Sequence, residues 1–394
     1  MSRIRRLILV CTGLLLAVTV FVGIFNQPSI IPERTFEQHP DVTAVTPTVL
    51  SVVPEEFAAT PETLVVTPSV TNVNSETMIP KFVMPLFDSA FAIPSTQNTV
   101  TLTRWAVSGP NDVAIDSSGA VFFTEGNNNK IGRLVPSTNT VTEWANFFGG
   151  LEPRQIAVHS SGDVYFLAPN GIERLVPGTN TFTRWTTIPQ PGGFNLGMAV
   201  DSTGDVYSVS GGSVIRLATS TNAVTSWAVP GIAPFTGLSD LIILSGNIYF
   251  TYDAGNKIGK LEPSTNTVTL WSIPTPSSLP KGMTVDSSGN IYFTESATSA
   301  NKIGRLVPGT NTFTEWSLPT LGSGTQGIAA DSSDNIYFEE GFNAKIGRLV
   351  PGTNTITEWS GAGIANTSGV IVVDPTTDNV FFTHNSFTPL GRLS

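Results

Sequence analysis

GMTVD-SSG-NIYFTE-SATSA-NKIGRL-VPGT-NTFTEW, residues 282–316, decides the fold of this chain. Four short runs rich in β-branched and aromatic residues alternate with segments of Ser, Gly, Pro and Asn, the residues that form tight turns. Each run predicts one strand, and the segments 287–289 and 308–311 predict hairpin turns between them. The stretch therefore predicts a unit of four antiparallel strands.

The same unit recurs along the chain, and a tryptophan marks the end of its fourth strand each time. Neighbouring tryptophans lie 39 to 45 residues apart, at Trp105, Trp144, Trp185, Trp227, Trp271, Trp316 and Trp359. A repeated four-stranded unit of about 40 to 45 residues is typical of a propeller blade. The sequence therefore predicts an all-β fold, a seven-bladed β-propeller with four-stranded blades, over residues 97–394.

The two ends of the repeat region are complementary fragments of one blade. The last copy stops at 391–394, after its third strand, whereas 98–105 is a fourth strand with no unit before it. We expect the N-terminal strand to complete the last blade. This pairing would close the ring and leave no exposed sheet edge around the circle.

Residues 1–25 predict export. Arg3, Arg5 and Arg6 precede nineteen uncharged, mostly apolar residues at 7–25, which as a helix would be about 28 Å long, close to the hydrocarbon thickness of a bilayer. Basic residues before the apolar run keep the N-terminus in the cytoplasm and place the propeller outside the cell. A cleaved signal peptide and an uncleaved signal anchor both fit, and the length of the run favours the anchor.

Residues 26–96 predict a tether between that segment and the propeller. They hold ten prolines among many Thr, Val and Ser, a composition typical of a stiff, extended linker. Residues 26–394 carry 17 basic and 30 acidic side chains, a net charge of −13. This charge argues against nucleic acid or anionic lipid as a partner, so the predicted membrane contact is limited to the N-terminal segment.

The expected ligand site is the channel rim, where the first strand of each blade starts and its second strand ends. Across the seven blades the first strands start at Asn111, Arg154, Leu196, Asp240, Lys281, Gln326 and Gly369, and the second strands end at Glu125, Ala168, Ser210, Tyr252, Glu295, Glu340 and His384. The candidates for ligand contact are Asn111, Arg154, Lys281, Gln326 and His384. A small molecule or a cell-surface protein is the expected partner.

Two interpretations fit the three rim glutamates, Glu125, Glu295 and Glu340. With His384 they offer carboxylates and an imidazole for a divalent metal, Mg²⁺ or Ca²⁺, or for acid–base chemistry. The alternative is structural, because each of these blades also carries a lysine before Ile-Gly, which predicts a cross-hairpin ion pair. These lysines are Lys130, Lys302 and Lys345. In the same blades, the third-strand residues Arg133, Arg305 and Arg348 are predicted to pair with the fourth-strand residues Glu143, Glu315 and Glu358.

The strings YFTE (292–295), NKIGRL (301–306) and TEW (314–316) resemble the blade signature of the streptogramin B lyase, or virginiamycin B lyase, family of seven-bladed propellers. The resemblance covers residues 97–394. It implies a magnesium-dependent elimination that opens a cyclic depsipeptide. The family uses a His that follows Glu-Pro at the start of a first strand and a Glu at the end of the following strand.

At the matching positions this chain has Arg154, after Glu152-Pro153, and Ala168. An arginine cannot act as a general base at neutral pH because its pKa is above about 12, and alanine offers no metal ligand. The sequence therefore predicts a surface propeller that binds a ligand at its rim without the lyase pair. The competing interpretation is an enzyme. It would be either a lyase of the streptogramin type, with a cluster rebuilt around Glu295, Glu340 and His384, or a metal-dependent hydrolase of another propeller family.

Overall fold

Strands are almost the only regular secondary structure in the part of the chain that the computed structural model describes. The described residues are 34–37, 41–44, 47–51, 55–58, 61–66, 68–72, 100–145, 152–169, 171–186, 197–232, 237–360, 364, 369–383 and 390–394. The predicted export segment lies outside these ranges. Within them, no helix has the length and apolar character needed to cross a membrane.

Six short strands come before the repeats. They are β1 (Arg34–Glu37), β2 (Asp41–Ala44), β3 (Pro47–Ser51), β4 (Glu55–Ala58), β5 (Pro61–Val66) and β6 (Pro68–Asn72). We call these six strands the belt.

The repeat region begins with β7 (Val100–Trp105) and continues blade by blade. Blade 1 contains β8 (Val113–Ile115), β9 (Val121–Glu125), β10 (Lys130–Val135) and β11 (Thr140–Ala145), with a 3-10 turn at Gly126–Asn128. Blade 2 contains β12 (Ile156–Val158), β13 (Val164–Ala168), β14 (Gly171–Val176) and β15 (Thr181–Thr186). Blade 3 contains β16 (Met198–Val200), β17 (Val206–Ser210), β18 (Ser213–Ala218) and β19 (Ala223–Ala228).

The remaining blades repeat this pattern. Blade 4 contains β20 (Leu238–Leu244), β21 (Asn247–Tyr252), β22 (Lys257–Glu262) and β23 (Thr267–Ser272). Blade 5 contains β24 (Pro280–Val285), β25 (Ile291–Glu295), β26 (Lys302–Val307) and β27 (Thr312–Ser317). Blade 6 contains β28 (Thr325–Ala330), β29 (Ile336–Glu340), β30 (Lys345–Val350) and β31 (Thr355–Ser360), and blade 7 contains β32 (Ile371–Val373), β33 (Val380–Phe382) and β34 (Leu390–Leu393).

The predicted seven-bladed propeller and its closure are confirmed. The innermost strands contact one another in order around the ring, and β32 of blade 7 contacts β8 of blade 1. Strand β7 pairs antiparallel with β34, with Leu102 opposite Leu393 and Trp105 opposite Leu390. The first strand of the repeat region is therefore the fourth strand of the last blade.

The hydrophobic core is divided into seven clusters, each shared by two neighbouring blades. In one of them Phe122 and Trp144 of blade 1 pack with Phe166 and Phe182 of blade 2. The glycine of the repeated Ile-Gly-Arg string belongs to this packing, because an aromatic ring of the second strand lies directly on it. A Cβ on Gly304 would lie 2.2 Å from the Phe293 ring, a distance that no side chain tolerates.

Within the described residues, six of the seven fourth-strand tryptophans donate a hydrogen bond that fixes their blade to the next one. The indole N–H of Trp271 in blade 4, for example, donates to the Asn311 side-chain oxygen in blade 5, at 3.0 Å. The other pairs are Trp105–Asn139, Trp144–Asn180, Trp185–Asn222, Trp227–Asn266 and Trp316–Asn354, at 2.7 to 2.9 Å. All six asparagines have positive φ, between 52° and 57°. One residue thus makes the left-handed turn between strands three and four and accepts the indole proton.

The belt lies within the segment predicted as a stiff, extended tether, and its strands pair with the blades. Each belt strand adds antiparallel to the outer edge of one blade: β1 to blade 4, β2 to blade 3, β3 to blade 2, β4 to blade 1, β5 to blade 7 and β6 to blade 6. The belt therefore visits the blades in the reverse of their chain order. The physical reason is that a propeller's outermost strands leave open edges, and a Thr- and Val-rich segment has the β-propensity to pair with them.

The belt has a signal in the sequence that the sequence reasoning missed. Its prolines are spaced seven residues apart. Prolines occur at positions 40, 47, 54, 61 and 68. In blades 2, 7 and 6 the register places a proline opposite the tryptophan of the blade: Pro47 opposite Trp185, Pro61 opposite Trp105 and Pro68 opposite Trp359. Proline lacks an N–H and is tolerated on an outermost strand, where that donor has no partner strand to serve. A proline opposite the tryptophan is thus shared by the belt strands of blades 2, 6 and 7.

We expect Asn311→Ala to lower the free energy of unfolding by about 2 to 3 kcal/mol, because it leaves a buried indole N–H without an acceptor and puts a Cβ residue without a polar side chain at positive φ. Asn311→Gly keeps the backbone conformation and should cost about 1 to 2 kcal/mol. Urea unfolding followed by tryptophan fluorescence measures both. Equal stability of wild type and Gly variant would show that the indole bond contributes nothing.

Candidate functional site

The rim is built from the residues that precede each first strand, and the structure corrects one of its members. Ser239, not Asp240, matches the other rim positions, since Leu241 lies opposite Phe250 as Val113 lies opposite Phe123. The structure brings Asn111, Arg154, Ser239, Lys281, Gln326 and Gly369 to equivalent places in blades 1, 2, 4, 5, 6 and 7. Leu196 and His384 lie outside the described residues.

Hydrogen bonds between blades hold the rim backbone. The Thr124 hydroxyl of blade 1 donates to the Arg154 carbonyl of blade 2 (2.7 Å), and Thr251 of blade 4 donates to the Lys281 carbonyl of blade 5 (2.8 Å). Thr294 makes the equivalent bond to the Gln326 carbonyl, at 3.2 Å. The backbone at Arg154, Lys281 and Gln326 is thus fixed to the preceding blade, which holds these three candidate positions in place.

The rim side chains differ in how far they are engaged. The Lys281 ammonium donates to the Asp253 carboxylate (2.7 Å), so it bridges blades 5 and 4. The Arg154 guanidinium contacts Glu152 at 3.4 Å, and this pair is exposed enough to be weak. Asn111 is exposed, and its amide lies 3.5 Å from the Pro153 carbonyl. Lys281 therefore has a structural role, whereas Arg154 and Asn111 present polar groups to the rim surface.

Two aspartates below the rim form a feature that our sequence reasoning missed. Asp112 accepts the Val113 N–H of its own blade and the Ile156 N–H of the next blade, at 2.7 and 2.8 Å. Asp240 repeats this with Leu241 and Met283, both at 2.8 Å. Burial raises the pKa of each carboxyl to about 7. The signal was available, because an aspartate follows the rim position in just these two of the aligned blades.

The three rim glutamates are buried, and they do not pair as predicted. Glu125, Glu295 and Glu340 are each 0% exposed and lie directly opposite the expected lysines. The lysine ammonium instead reaches the fourth-strand glutamate of the same blade. The pairs are Lys130–Glu143 (2.6 Å), Lys302–Glu315 (2.8 Å) and Lys345–Glu358 (2.7 Å). The predicted cross-hairpin pair is therefore wrong in its partner.

The predicted arginine–glutamate pairs are also wrong, because side chains alternate between the two faces of a sheet. Glu315 lies opposite Gly304, whereas Arg305 lies opposite Thr314 and hence on the other face. Arg305 instead stacks over the Trp316 ring, at 5.3 Å from the ring centre. Arg348 stacks in the same way on Trp359, at 5.4 Å, and Arg133 on Phe122, at 5.6 Å.

The buried glutamates have carboxyls that favour the neutral form. Burial, reinforced by Glu315, raises the pKa of Glu295 to about 8. Among the residues that the structure describes, neither Glu295 oxygen meets hydrogen-bond geometry with a partner. Burial also raises the pKa of Glu340 to about 8, although the Ser323 hydroxyl donates to it at 2.6 Å. For Glu125 burial raises the pKa to about 7. In each blade the lysine pairs with the other glutamate, the one on the fourth strand.

The residues do not fit the magnesium that the family resemblance implies. Ala168, the last residue of β13, offers no ligand atom. Arg154, two residues before β12, has a positively charged side chain. The Arg154 N–H donates to the Leu167 carbonyl at 2.9 Å, so the two positions are neighbours. Glu125, Glu295 and Glu340 lie in separate blades. Across the described ranges, no three His, Cys, Asp or Glu side chains are grouped closely enough to hold a metal ion.

Comparison with known proteins agrees with the fold. The model of the virginiamycin B lyase family matches residues 96–360 and 244–394. A streptogramin B lyase structure is 24% identical and covers 74% of this chain and 97% of its own, with a TM-score of 0.66. A catalytically inactive virginiamycin B lyase from Staphylococcus aureus with quinupristin gives 24% identity, coverage of 74% and 98%, and a TM-score of 0.66. No curated protein matches the chain.

We expect Glu295→Gln to flatten the pH dependence of stability. A carboxyl that is neutral in the folded state up to about pH 8 and ionised in the unfolded state above about pH 4.5 makes stability fall as pH rises through that window. The Gln variant should lack this fall, and its advantage over wild type should reach up to about 4 kcal/mol near pH 8. Urea midpoints at several pH values measure it.

Glu315→Gln is the matched control. It removes the partner of Lys302 and the acceptor of the Thr275 N–H and hydroxyl. It should therefore destabilise the protein at every pH. A Glu295→Gln curve that runs parallel to wild type from about pH 5 to about pH 8 would contradict the neutral state of this carboxyl.

Proposed function

Because the chain belongs to the virginiamycin B lyase family, we propose that it is a ligand-binding propeller that has kept the family's rim without its elimination chemistry. The observation that carries the proposal is the pair Arg154 and Ala168. These residues lie side by side at the rim of blade 2, on strands whose backbones are bonded to each other. A guanidinium and a methyl group supply neither a base nor a metal ligand.

The polar groups at the rim indicate the kind of ligand. Asn111 and Arg154 lie on adjacent blades and Gln326 lies on blade 6, whereas the Lys281 ammonium is held by Asp253. Amide and cationic groups donate hydrogen bonds, so this surface suits a ligand rich in carbonyl or carboxylate oxygens. A cyclic depsipeptide has this chemistry, as does an acidic segment of a surface protein. The rigid backbone beneath the rim supports binding because little order is lost when the ligand arrives.

The proposal includes a place outside the cell. The charged and apolar pattern of residues 1–25 supports export, and the net charge of −13 on residues 26–394 supports a soluble surface domain. We propose that residues 1–25 make the membrane contact, as a retained anchor or a cleaved signal. The sequence has one cysteine, Cys11, so the propeller is not held together by an internal disulfide.

Quinupristin is the probe that tests this function, with and without Mg²⁺. We expect saturable binding by calorimetry and recovery of the intact ring. Ring opening by elimination leaves the mass unchanged, whereas hydrolysis adds one water. The products must therefore be separated by chromatography and identified by fragmentation. Ring opening at a catalytic rate would establish the enzyme alternative and sink the binding proposal.

Arg154→Ala should weaken quinupristin binding at least about tenfold, a loss of about 1.4 kcal/mol, because it removes a charged donor from the rim. Lys260→Ala is the matched control: it removes one positive charge from a third strand, where the ammonium contacts Glu262 away from the rim. Its dissociation constant should stay within about twofold of wild type. Equal effects of the two variants would point to general electrostatics and against a rim site.

A further inference from the structure

Blade 5 differs from the other six blades at its outer edge. Six sheets have five strands, the fifth supplied by the belt, whereas the sheet of blade 5 ends at β27 in the part of the chain that the structure describes. An open edge strand presents unpaired N–H and C=O groups and is a template for another strand. The outer edge of β27 is equivalent to the outer edges of the other six blades, each of which is paired with a belt strand.

The register shows which groups of β27 face outward. In blade 7, Thr101 and Ser394 exchange two backbone hydrogen bonds, at 2.8 and 3.0 Å. Thr312 holds the same place in blade 5, opposite Val307. Because bonded and non-bonded pairs alternate along an antiparallel ladder, Phe313, Glu315 and Ser317 direct their N–H and C=O groups to the open edge.

Three belt strands, β3, β5 and β6, show a pattern that such an edge accepts. Pro47 lies opposite Trp185, and Leu50, three residues later, lies opposite Phe182. Pro61 and Leu64 repeat this opposite Trp105 and Leu102. Pro68 and Thr71 repeat it opposite Trp359 and Ile356. The shared pattern is a proline followed three positions later by an apolar or β-branched residue.

We propose that β27 is a docking edge for an extended segment of another protein that carries this Pro-x-x-apolar pattern. Its proline would lie opposite Trp316 and its apolar residue opposite Phe313, with main-chain hydrogen bonds to the outward groups of β27. Strand addition of this kind takes affinity from the main chain and specificity from alternate side chains. In this chain the seven-residue spacing of prolines ends at position 68, and position 75 is Ser75.

A labelled synthetic peptide with the sequence of residues 61–67 tests the proposal on the full chain. We expect one-to-one saturable binding by fluorescence anisotropy. Hydrogen exchange should show at least about tenfold slower exchange of the amides of residues 313, 315 and 317 at saturation, while residues 312, 314 and 316 stay unchanged. The same peptide with Leu64→Asp should not bind.

Two proline variants locate the site. Ser317→Pro removes one outward N–H from an exposed residue of β27 and should weaken peptide binding at least about tenfold. Ser360→Pro changes the equivalent residue of blade 6, whose edge already holds β6, and should leave the affinity unchanged. Absence of binding, or protection that appears on β7 because the peptide replaces β5, would overturn the proposal, and so would equal loss in both variants.

Discussion

The bond from a buried indole N–H to an asparagine of the next blade is the contact on which the ring depends. A tryptophan buried between two sheets needs an acceptor for its one polar atom, and a left-handed turn of the neighbouring blade supplies it. This requirement fixes the distance and the rotation between blades, so rim and channel inherit a common geometry. The same need explains why each asparagine is part of the repeat, since another residue would lose either the turn or the acceptor.

The junction between blades 6 and 7 departs from this rule. Val100 stands where the other blades have asparagine, and the Trp359 indole N–H has no hydrogen-bond partner within the described ranges. Blade 7 is also the blade whose fourth strand, β7, does not follow its third strand, β34, in the chain. The belt strand β5 pairs with β7 along its whole length, from Val100 to Trp105, and β6 covers the neighbouring blade. The belt therefore reinforces the ring where its own bonding is weakest.

The sequence predicted the features that each repeat carries within itself. Hairpin turns, strand order and ring closure follow from local patterns that occur seven times. The partners of charged groups did not follow, because two glutamates share one face with each lysine. Lys302 pairs with Glu315, which keeps partial contact with solvent at 15% side-chain exposure, whereas Glu295 is fully buried and neutral. The lysine pairs with the less buried of the two glutamates. Burial depends on the assembled blade and cannot be seen in the local sequence. The belt was missed for a similar reason. Its strands are short, and the seven-residue spacing of its prolines can be interpreted only once the blades that they pair with are known.

The scaffold and the chemistry of this family are separable in physical terms. The Arg154 carbonyl accepts a hydrogen bond from Thr124 of blade 1, and this bond does not depend on the side chain at position 154. The bond from the Arg154 N–H to the Leu167 carbonyl likewise does not depend on the side chain at position 168. A substitution at position 154 or 168 therefore costs the fold little, because these backbone bonds do not depend on the side chains. Family membership accordingly describes the architecture of this chain more firmly than its reaction.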